Sequence, residues 1–325
     1  MRKYELQIGP EKKLWDEFVS TSPQGNLFCQ TKFLDAFQKD YELLTVVKGE
    51  EILLGAVIVK DEDGQPILQP FIYQGVLLGS SIATLAGYKR VKKALELVEI
   101  LLAEIEKRYQ QICFSLHPSF KDLRSFQWYN YHEPEKSQFQ INLNYTGILS
   151  LKNIQNFDQI LMNARTVRRQ EYRKCIKEGF TIEESEDISI LDQLHEKTFK
   201  RQGIKRSTGE EFMATTLAKE SLFRGFGRLL VCRDRSGATA SASLFLFDDK
   251  TAYYLIGAND PKFRKYGTGI NVIFEQIRRC LEQGLSQVDF VGINSPMRGD
   301  FKTSFGAVPV PYFTVSLEKN YKLYN

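Results

Sequence analysis

The sequence predicts a mixed α/β protein with two related domains, each a mixed sheet flanked by helices. Short β-branched and aromatic runs alternate with longer segments whose apolar residues recur every three to four positions, as strands and amphipathic helices do. The two halves of the 325-residue chain also end alike, in a helix, a strand, a proline-containing loop, a short helix and a strand. At roughly 150 residues per domain, this length suits two domains.

The elements of the first half follow from apolar spacing and turn residues. Apolar periodicity predicts helices at 11–20, 32–40 and 89–108, and a short helix at 120–126. Continuous or alternating apolar runs predict strands at 43–47, 52–59, 67–72, 112–116 and 139–143. Turn chemistry at 61–64 separates two of these strands.

The second half repeats this alternation with longer helices. Helices are predicted at 157–178, 188–202, 209–222 and 270–283, with a short one at 298–304. Strands are predicted at 228–233, 240–247, 251–257, 288–291 and 312–317. Gly179 follows the first helix of this half as a C-cap, since glycine accepts the left-handed conformation at helix ends.

Placing Phe114 on Phe290 brings the final helix and strand of both halves into step. We therefore expect a first domain at 1–147 and a second at 148–325, related by duplication. Identity between the halves is slight, so the duplication depends on the order of elements. Accidental recurrence of helix, strand and turn is the alternative.

Composition excludes several classes of protein. The chain is 42% hydrophobic and 26% charged, which is ordinary for a folded domain, and its net charge of +4 does not indicate DNA binding. Its five cysteines include no C-x-x-C pair and its three histidines no H-E-x-x-H motif, so we expect neither a metal site nor a disulfide framework. Because we find no secretory signal and no apolar run of membrane-spanning length, we expect a cytoplasmic protein without a membrane span.

A glycine-containing loop is the most informative motif. It has the form R-x-x-G-x-G, lies between the predicted strand 251–257 and the predicted helix 270–283, and consists of Arg264, Lys265, Tyr266, Gly267, Thr268 and Gly269. Glycines let the backbone approach a ligand, and the free N–H groups at a helix N-terminus bind phosphate. A solvated loop with a basic rim is the alternative.

This loop resembles that of the acyl-CoA N-acyltransferase (GNAT) superfamily, where R/Q-x-x-G-x-G/A joins a strand to a helix and binds the pyrophosphate of coenzyme A. Three further segments resemble the two-domain, Fem-like branch of that superfamily: 161–179, Asp260-Pro261, and 284–305 with its Phe301-Lys302-Thr303-Ser304-Phe305 run. The likeness is good over 150–317 and loose over the first half. It implies tandem GNAT-like domains.

The resemblance implies transfer of an acyl group, with two possible donors. One is acyl-CoA, expected here as acetyl-CoA, with a small or carbohydrate- or envelope-linked amine as acceptor. The other is aminoacyl-tRNA, used by Fem-like enzymes to extend peptidoglycan side chains. The intact loop favours acyl-CoA, which leaves tRNA as a partner only under the second reading. A degenerate GNAT fold that binds ligands without turnover is a third possibility. The sequence leaves the oligomeric state open.

A basic helix precedes the loop. On a helical wheel of 157–178, Arg168 falls within an apolar stripe and therefore needs a partner, which is either Glu171 or an anionic ligand. Arg165, Arg169, Arg173 and Lys177 form an adjacent stripe. This stripe is either a solvated face or a contact surface for an anionic substrate, a tRNA backbone or a membrane.

Acyl transfer to an amine needs a base and a group that stabilises the carbonyl oxygen. The resemblance implies that backbone N–H groups around Leu255 and Ile256 polarise the thioester, and it puts Phe301 near the place of a family tyrosine acid. Catalytic candidates are Asp289, His195 and Tyr254. The alternative is a core histidine for His195, a hydrogen-bonding structural carboxylate for Asp289 and a core side chain for Tyr254. Arg168, Asn294 and Lys302 are candidate substrate ligands.

Only the second half carries the loop. Its counterpart in the first half falls at 88–93, where Val91 and Lys93 replace the two glycines. Side chains there would crowd the backbone N–H groups that a pyrophosphate needs. We therefore expect one coenzyme A site per chain.

Overall fold

The computed structural model describes residues 4–319, which form two compact units. The first unit contains residues 4–144 and 311–319, and the second contains residues 145–310. The sequence analysis assigned the last strand to the second domain, at 148–325, and the observed division assigns most of it to the first unit. Residues from Pro311 on group with the first unit because that strand pairs antiparallel with Gln111–Leu116.

Twelve strands occur in the described residues. They are β1 Glu5–Ile8, β2 Tyr41–Lys48, β3 Glu51–Val59, β4 Val76–Leu78, β5 Gln111–Leu116, β6 Gln140–Ser150, β7 Thr181–Glu184, β8 Gly227–Arg233, β9 Thr239–Phe247, β10 Thr251–Asn259, β11 Gln287–Asp289 and β12 Val308–Glu318.

Twelve α-helices accompany the strands in the same part of the chain. They are α1 Lys12–Thr21, α2 Thr31–Ala36, α3 Ser80–Ala83, α4 Gly87–Arg108, α5 Arg124–Gln127, α6 Phe157–Asn163, α7 Thr166–Lys177, α8 Ile188–Gln202, α9 Thr208–Phe212, α10 Ala218–Phe223, α11 Thr268–Glu282 and α12 Pro296–Thr303. Leu27–Cys29 and Pro261–Tyr266 are 3-10 helices, and Met213–Leu217 is a π-helical turn between α9 and α10.

The first unit has a four-stranded sheet in the order β1-β2-β3-β4, and a β5–β12 pair. Successive residues of β2 enter different cores, since side chains alternate across a strand. Leu44 packs in a cluster with Leu101 of α4, whereas Leu43 packs in a cluster with Trp15 of α1. Both faces of this sheet are therefore covered.

The second unit has a sheet in the order β6-β11-β10-β9-β8-β7. The β10–β11 pair is parallel, with α11 as its crossover helix, and the other neighbours are antiparallel. β9 is buried along nearly its whole length, and both α8 and α11 pack on it. Phe245, Phe274, Phe290 and Phe305 dominate the core of this unit.

Several predicted elements were wrong in detail. The helix predicted at 32–40 ends at Ala36, the one at 120–126 starts only at Arg124, and the one at 209–222 is interrupted by the π-helical turn. The helix predicted at 157–178 is two helices, because Ala164 is extended (ψ 153°) and a new helix starts after Arg165. The strand predicted at 67–72 does not form. Pro70 in this segment has no N–H group to donate to a neighbouring strand. The strand β4 instead forms at Val76–Leu78. The strand predicted at 288–291 ends at Asp289. The strands β1 and β7 were not predicted, because each has only four residues and is mostly exposed.

Candidate active site

The glycine loop lies between β10 and α11, as predicted. The 3-10 helix Pro261–Tyr266 ends at Gly267, whose φ of +72° is left-handed, and α11 starts at the next residue. Such a φ strongly favours glycine over residues with a β-carbon. The loop therefore ends at the N-terminus of a 15-residue helix, where backbone N–H groups lack acceptors within the helix.

The two glycines of the loop are also required by local packing. A β-carbon on Gly267 would lie 2.8 Å from the carbonyl oxygen of Glu171 in α7. A β-carbon on Gly269 would lie 2.2 Å from the side-chain oxygen of Asn259, at the end of β10. The two glycines thus allow α7 and the end of β10 to pack closely against the loop. The sequence analysis explained these glycines only by access of a ligand to the backbone and did not predict this packing role.

The residues of this loop fit an anionic ligand. The hydroxyl of Thr268 is fully buried at the first position of α11 and has no hydrogen-bond partner in the described chain. Arg264 is exposed, and no ion pair holds it within residues 4–319. Lys265 is also exposed, with its ammonium 4.9 Å from the centre of the Tyr266 ring. Unassigned donors and cations of this kind suit a phosphate.

A wedge opens in the sheet beside the loop. β10 and β11 pair only from Thr251–Gln287 to Tyr253–Asp289. Beyond that point β10 continues to Asn259, whereas the chain after β11 stays beside β6, with Phe290 N donating to Gly147 O at 2.8 Å. The edge of β10 that faced β11 is therefore left without a strand partner from Tyr254 onward in the described structure.

A β-bulge lies at the apex of this wedge. In the pairing of β10 with β9, the register shifts between Tyr254 and Ile256, which makes Leu255 the extra residue. Bulges expose backbone groups and redirect a strand, and they are frequent beside active sites. Leu255 is half-buried and Ile256 is buried, so Ile256 offers a ligand its backbone and not its side chain.

Lys302 of α12 lies close to the apex. Its ammonium donates to the carbonyl oxygens of Val291 and, at 3.0 Å, Gly292, directly after β11. The same group lies 5.7 Å from the centre of the Tyr254 ring. Burial lowers the pKa of Lys302 to about 8, with a further decrease from Arg298 and an opposing increase from Asp289. Lys302 is therefore a desolvated cation that titrates near neutral pH.

Asp289 is buried at the last residue of β11. Its carboxylate accepts a hydrogen bond from the hydroxyl of Thr146 and another, at 2.8 Å, from the backbone N–H of Val291. Tyr254 is buried between the rings of Phe245 and Phe290, at centroid distances of 5.3 and 5.8 Å. Burial raises the pKa of the Tyr254 phenol. Both candidates thus lie where β10 and β11 part.

His195 lies in α8, in an apolar setting. Its ring meets that of Phe199 edge-on at 4.9 Å, and its Nε2 is 3.7 Å from a carboxylate oxygen of Glu210. Burial lowers the pKa of His195 to about 4, helped by the charges of Arg206 and Arg298. The imidazole is therefore neutral at pH 7 and a weak base.

The remaining substrate-binding candidates already have partners within the fold. Arg168 donates to Glu171 at 2.6 Å and to the hydroxyl of Ser304 at 2.7 Å, and it covers the ring of Phe301. These contacts match the structural alternative given for Arg168. The side chain of the exposed Asn294 accepts a hydrogen bond from the N–H of Tyr145 at 2.7 Å.

Two side chains of the basic stripe are bound within the fold, and two are exposed. Arg165 binds Asp300 through two hydrogen bonds of 2.7 and 3.0 Å, and Arg169 caps the end of α6 by donating to Met162 O at 2.8 Å. Arg173 and Lys177 are exposed, and no ion pair holds either one in the described residues. Only part of this stripe is therefore available to a partner.

Sequence reasoning missed Arg298. This exposed side chain lies in the first turn of α12, four residues before Lys302, and its charge acts on Lys302, Tyr254 and His195. The signal was present in the sequence, since residues 298 and 302 of the predicted helix share a face.

Comparison with known proteins agrees with this geometry. Residues 162–303 match the family model for an acetyltransferase (GNAT) domain. This segment includes the glycine loop, the wedge and Lys302. GNAT domains use acyl-CoA as a co-substrate. No curated protein sequence matches the chain.

Several solved structures share the fold over nearly the whole chain. FemX superposes with a TM-score of 0.69 at 14% identity, covering 95% of this chain and 96% of its own. A tandem GNAT protein from the clavulanic acid biosynthesis pathway gives 0.52 at 11% identity, covering 97% and 98%. The C-terminal domain of a putative lysylphosphatidylglycerol synthetase from Agrobacterium fabrum gives 0.54 at 9% identity, covering 94% and 92%.

Two absences are findings for residues 4–319 alone. No group of three or more His, Cys, Asp or Glu side chains there is arranged to hold a metal ion. No helix there is long and apolar enough to cross a membrane.

Together, the family model and the full-length neighbours give the fold. Residues 162–303 therefore match a GNAT acetyltransferase domain, and the chain as a whole shares its fold with FemX and with the tandem GNAT protein.

Proposed function

We propose that the chain is an N-acyltransferase that moves an acyl group from acyl-CoA, with acetyl-CoA as the expected donor, to an amine on a small or carbohydrate- or envelope-linked acceptor. One observation carries the proposal. The wedge between β10 and β11 opens at a β-bulge, directly before a glycine loop that fits a phosphate group. An acyl donor held by its phosphates at the loop would extend its acyl end along the free edge of β10.

The loop supplies donor binding in this proposal. Backbone N–H groups at Gly267, Thr268 and Gly269 would hold the pyrophosphate at the start of α11, and Arg264 would add a cationic contact. Acyl-CoA supplies an activated thioester carbonyl. Leu255 and Ile256 would fix its position through backbone groups of the bulge.

Lys302 would stabilise the negative charge that develops on the carbonyl oxygen. Its ammonium is fixed by two backbone carbonyl oxygens beside the apex of the wedge, and burial strengthens its field. We propose Asp289, the last residue of β11 before the wedge opens, as the group that accepts the proton of the amine. The new C–N bond forms as the C–S bond of the thioester breaks, and coenzyme A leaves as its thiolate, which takes up a proton to become the thiol. We assign no proton transfer to His195, because an imidazole with a pKa of about 4 is a poor base at neutral pH.

The first test is an Arg264→Ala variant. We expect it to weaken acetyl-CoA binding by about tenfold, since one charge-assisted contact to phosphate is lost. Lys219→Ala in α10 is the control, because Lys219 is equally exposed and lies outside the loop. Calorimetric titration of the folded variants measures the change. Equal affinities in both variants would remove the loop from donor binding, and donor binding without acyl transfer would favour a degenerate binding protein.

Transfer from aminoacyl-tRNA is the second candidate, and the full-length likeness to FemX favours it. Arg173 and Lys177 are the exposed cations of the basic stripe that such a partner would meet. Binding to a tRNA backbone would weaken steeply with salt, because neutralised phosphates release counterions. Tight tRNA binding that is lost in an Arg173→Ala, Lys177→Ala double variant would support this candidate over acyl-CoA.

A further inference from the structure

Two cations share one face of α12 without an acid between them. Arg298 and Lys302 are four residues apart, so their side chains are neighbours, and like charges at this spacing repel each other. Asp300 does not compensate them, because Arg165 holds its carboxylate by two hydrogen bonds. In the described structure, Arg298 makes no hydrogen bond and no ion pair.

The charge of Arg298 acts on side chains from three elements. Burial is the main cause of the pKa shifts of Lys302, His195 and Tyr254; the charge of Arg298 adds to the decreases at Lys302 and His195 and opposes the increase at Tyr254. Arg298 therefore lies within electrostatic reach of α8 and β10 as well as of its own helix. These elements all belong to the second unit.

A buried polar atom in the same region lacks a partner. His195 is 7% exposed, and its Nδ1 has no hydrogen-bond partner in the described chain. Glu210 lies 3.7 Å from this imidazole, and Asp192, whose charge acts on it, is bound to Arg206 at 2.7 Å. Neither of them makes an ion pair with Arg298.

We propose that the region around Arg298 binds an anionic group, a carboxylate or a phosphate, carried by the amine acceptor. This inference rests on the proposed function for the identity of the acceptor but not for the anion site itself. A guanidinium matches the geometry of carboxylate and phosphate oxygens through two parallel hydrogen bonds. An anion there would also relieve the repulsion between Arg298 and Lys302. The substrate class is therefore an amine that also carries a carboxylate or a phosphate group.

The anion site is tested by a local reporter. The chain contains three histidines, and His117 and His132 lie in the first unit, so the His195 ring signals report on the second. Titration with inorganic phosphate, and separately with acetate, should shift the His195 signals saturably, and the stronger of the two identifies the class of anion. In R298Q the shift should vanish or need about tenfold more anion. His195→Gln assigns the signals, and R173Q is the matched control.

Two results overturn the proposal: the absence of a saturable His195 shift in the wild-type protein, or an unchanged shift in R298Q. A shift that R173Q abolishes and R298Q preserves would also overturn it.

The acceptor class is tested by kinetics with matched amines. Glucosamine 6-phosphate is paired with glucosamine, and glycine with glycinamide, using acetyl-CoA as donor. We expect kcat/KM for the preferred acidic amine to fall about tenfold in R298Q, and that for its neutral partner to stay within about twofold. Equal losses for both members would contradict a role in recognising the anion. If neither pair is acylated, the proposed function fails with these acceptors, and the phosphate and acetate titrations still decide the anion site.

Discussion

At the scale of single residues, burial changes what side chains at the candidate site can do. His195 and Lys302 are both desolvated, and both have lowered pKa values, but the consequences differ. The imidazole becomes permanently neutral at pH 7. The ammonium stays mostly charged at pH 7 and loses its proton just above it, so Lys302 couples activity to pH in a measurable range.

The lowered pKa of Lys302 predicts that catalytic activity decreases at alkaline pH. If its charge stabilises the carbonyl oxygen, kcat should decrease as pH rises through about 8, where the ammonium loses its proton. In Lys302→Met we expect a loss of at least about a hundredfold in kcat and no limb near pH 8. A profile measured from pH 6 to 10 checks this. A limb that persists in the variant would assign it to another group.

The same shift predicts a stability change of defined sign. The folded pKa of Lys302 is about 8 and its ordinary value is 10.5, so the unfolded chain binds more protons between these values. The contribution of Lys302 to the free energy of unfolding should therefore rise with pH across this window, by at most about 3 kcal/mol. Lys302→Met should remove that rise and be the more stable protein at pH 7. Urea unfolding of both proteins at pH 7 and pH 10 measures these effects, and a variant with the same pH dependence as the wild type would contradict the assignment.

The surroundings of Gly257 predict that a larger residue at this position of β10 would clash with Tyr254. A β-carbon at this position would lie 1.9 Å from the hydroxyl oxygen of Tyr254, which is buried. Gly257→Ala should lower the free energy of unfolding by about 1–3 kcal/mol through overpacking. Combining it with Tyr254→Phe should recover part of the loss, because the conflicting atom is gone. Additive effects of the two substitutions would show that the side chains do not meet.

At the scale of elements, α11 binds a buried arginine without any carboxylate. Arg228 of β8 is 4% exposed and donates to the side-chain oxygens of Gln276 and Gln283 at 2.8 and 2.9 Å. It also lies 3.3 Å from the sulfur of Cys280. These groups lie in or next to the last turns of α11, where the helix dipole is negative. The helix end therefore supplies the compensation that an acid usually provides.

This arrangement predicts unequal costs for two arginines of β8. Arg228→Met should lower the free energy of unfolding by about 2 kcal/mol, because it leaves buried amide oxygens without donors. Arg233→Met is the matched control, since its ion pair with Glu183 is partly exposed, and it should cost less than about 1 kcal/mol. Denaturant titration of both variants gives the comparison. A cost for Arg233→Met as large as that for Arg228→Met would contradict the argument.

At the scale of the whole molecule, the two halves differ in what they offer a donor. The stretch 88–93, aligned with the glycine loop, lies within α4, so Val91 and Lys93 are helical residues and not part of a loop. The side chain of Lys93 is already bound to Glu96 at 2.9 Å and to the hydroxyl of Tyr4. In the described residues of the first unit, the aligned segment therefore forms no glycine loop at a helix N-terminus that could bind a phosphate.

We therefore predict one acetyl-CoA site per chain. Equilibrium dialysis should give a stoichiometry of one, and Arg264→Ala should weaken binding where Arg90→Ala leaves it unchanged. Arg90 is the matched control because it is an exposed arginine of the aligned segment. Two sites of equal affinity would contradict a single site per chain, and a loss caused by Arg90→Ala would place a donor site in the first half.

Much of the fold was predictable from local patterns. Helix α8 was predicted with its correct bounds, and Gly179 was confirmed as the left-handed residue that follows α7, with φ +80°. The loop and its position between β10 and α11 were also predictable, because glycine conformation and helix starts are local properties. The alternation of strands and helices was sufficient for a mixed α/β protein with two domains, whereas the two-domain, Fem-like GNAT fold was predicted from the resemblance of the loop and three further segments.

Tertiary contacts decided the rest, for reasons that no local pattern encodes. The helix break after Asn163 depends on the N–H of Arg165 donating to Ser304 O at 2.9 Å, a contact between residues far apart in sequence. The pairing of β12 with β5, the wedge at Tyr254 and the desolvation of Lys302 likewise depend on distant neighbours. The sequence by itself determined which residues form the elements and the loop. The tertiary structure alone decided which charges are buried together, because burial is a property of packing and not of spacing.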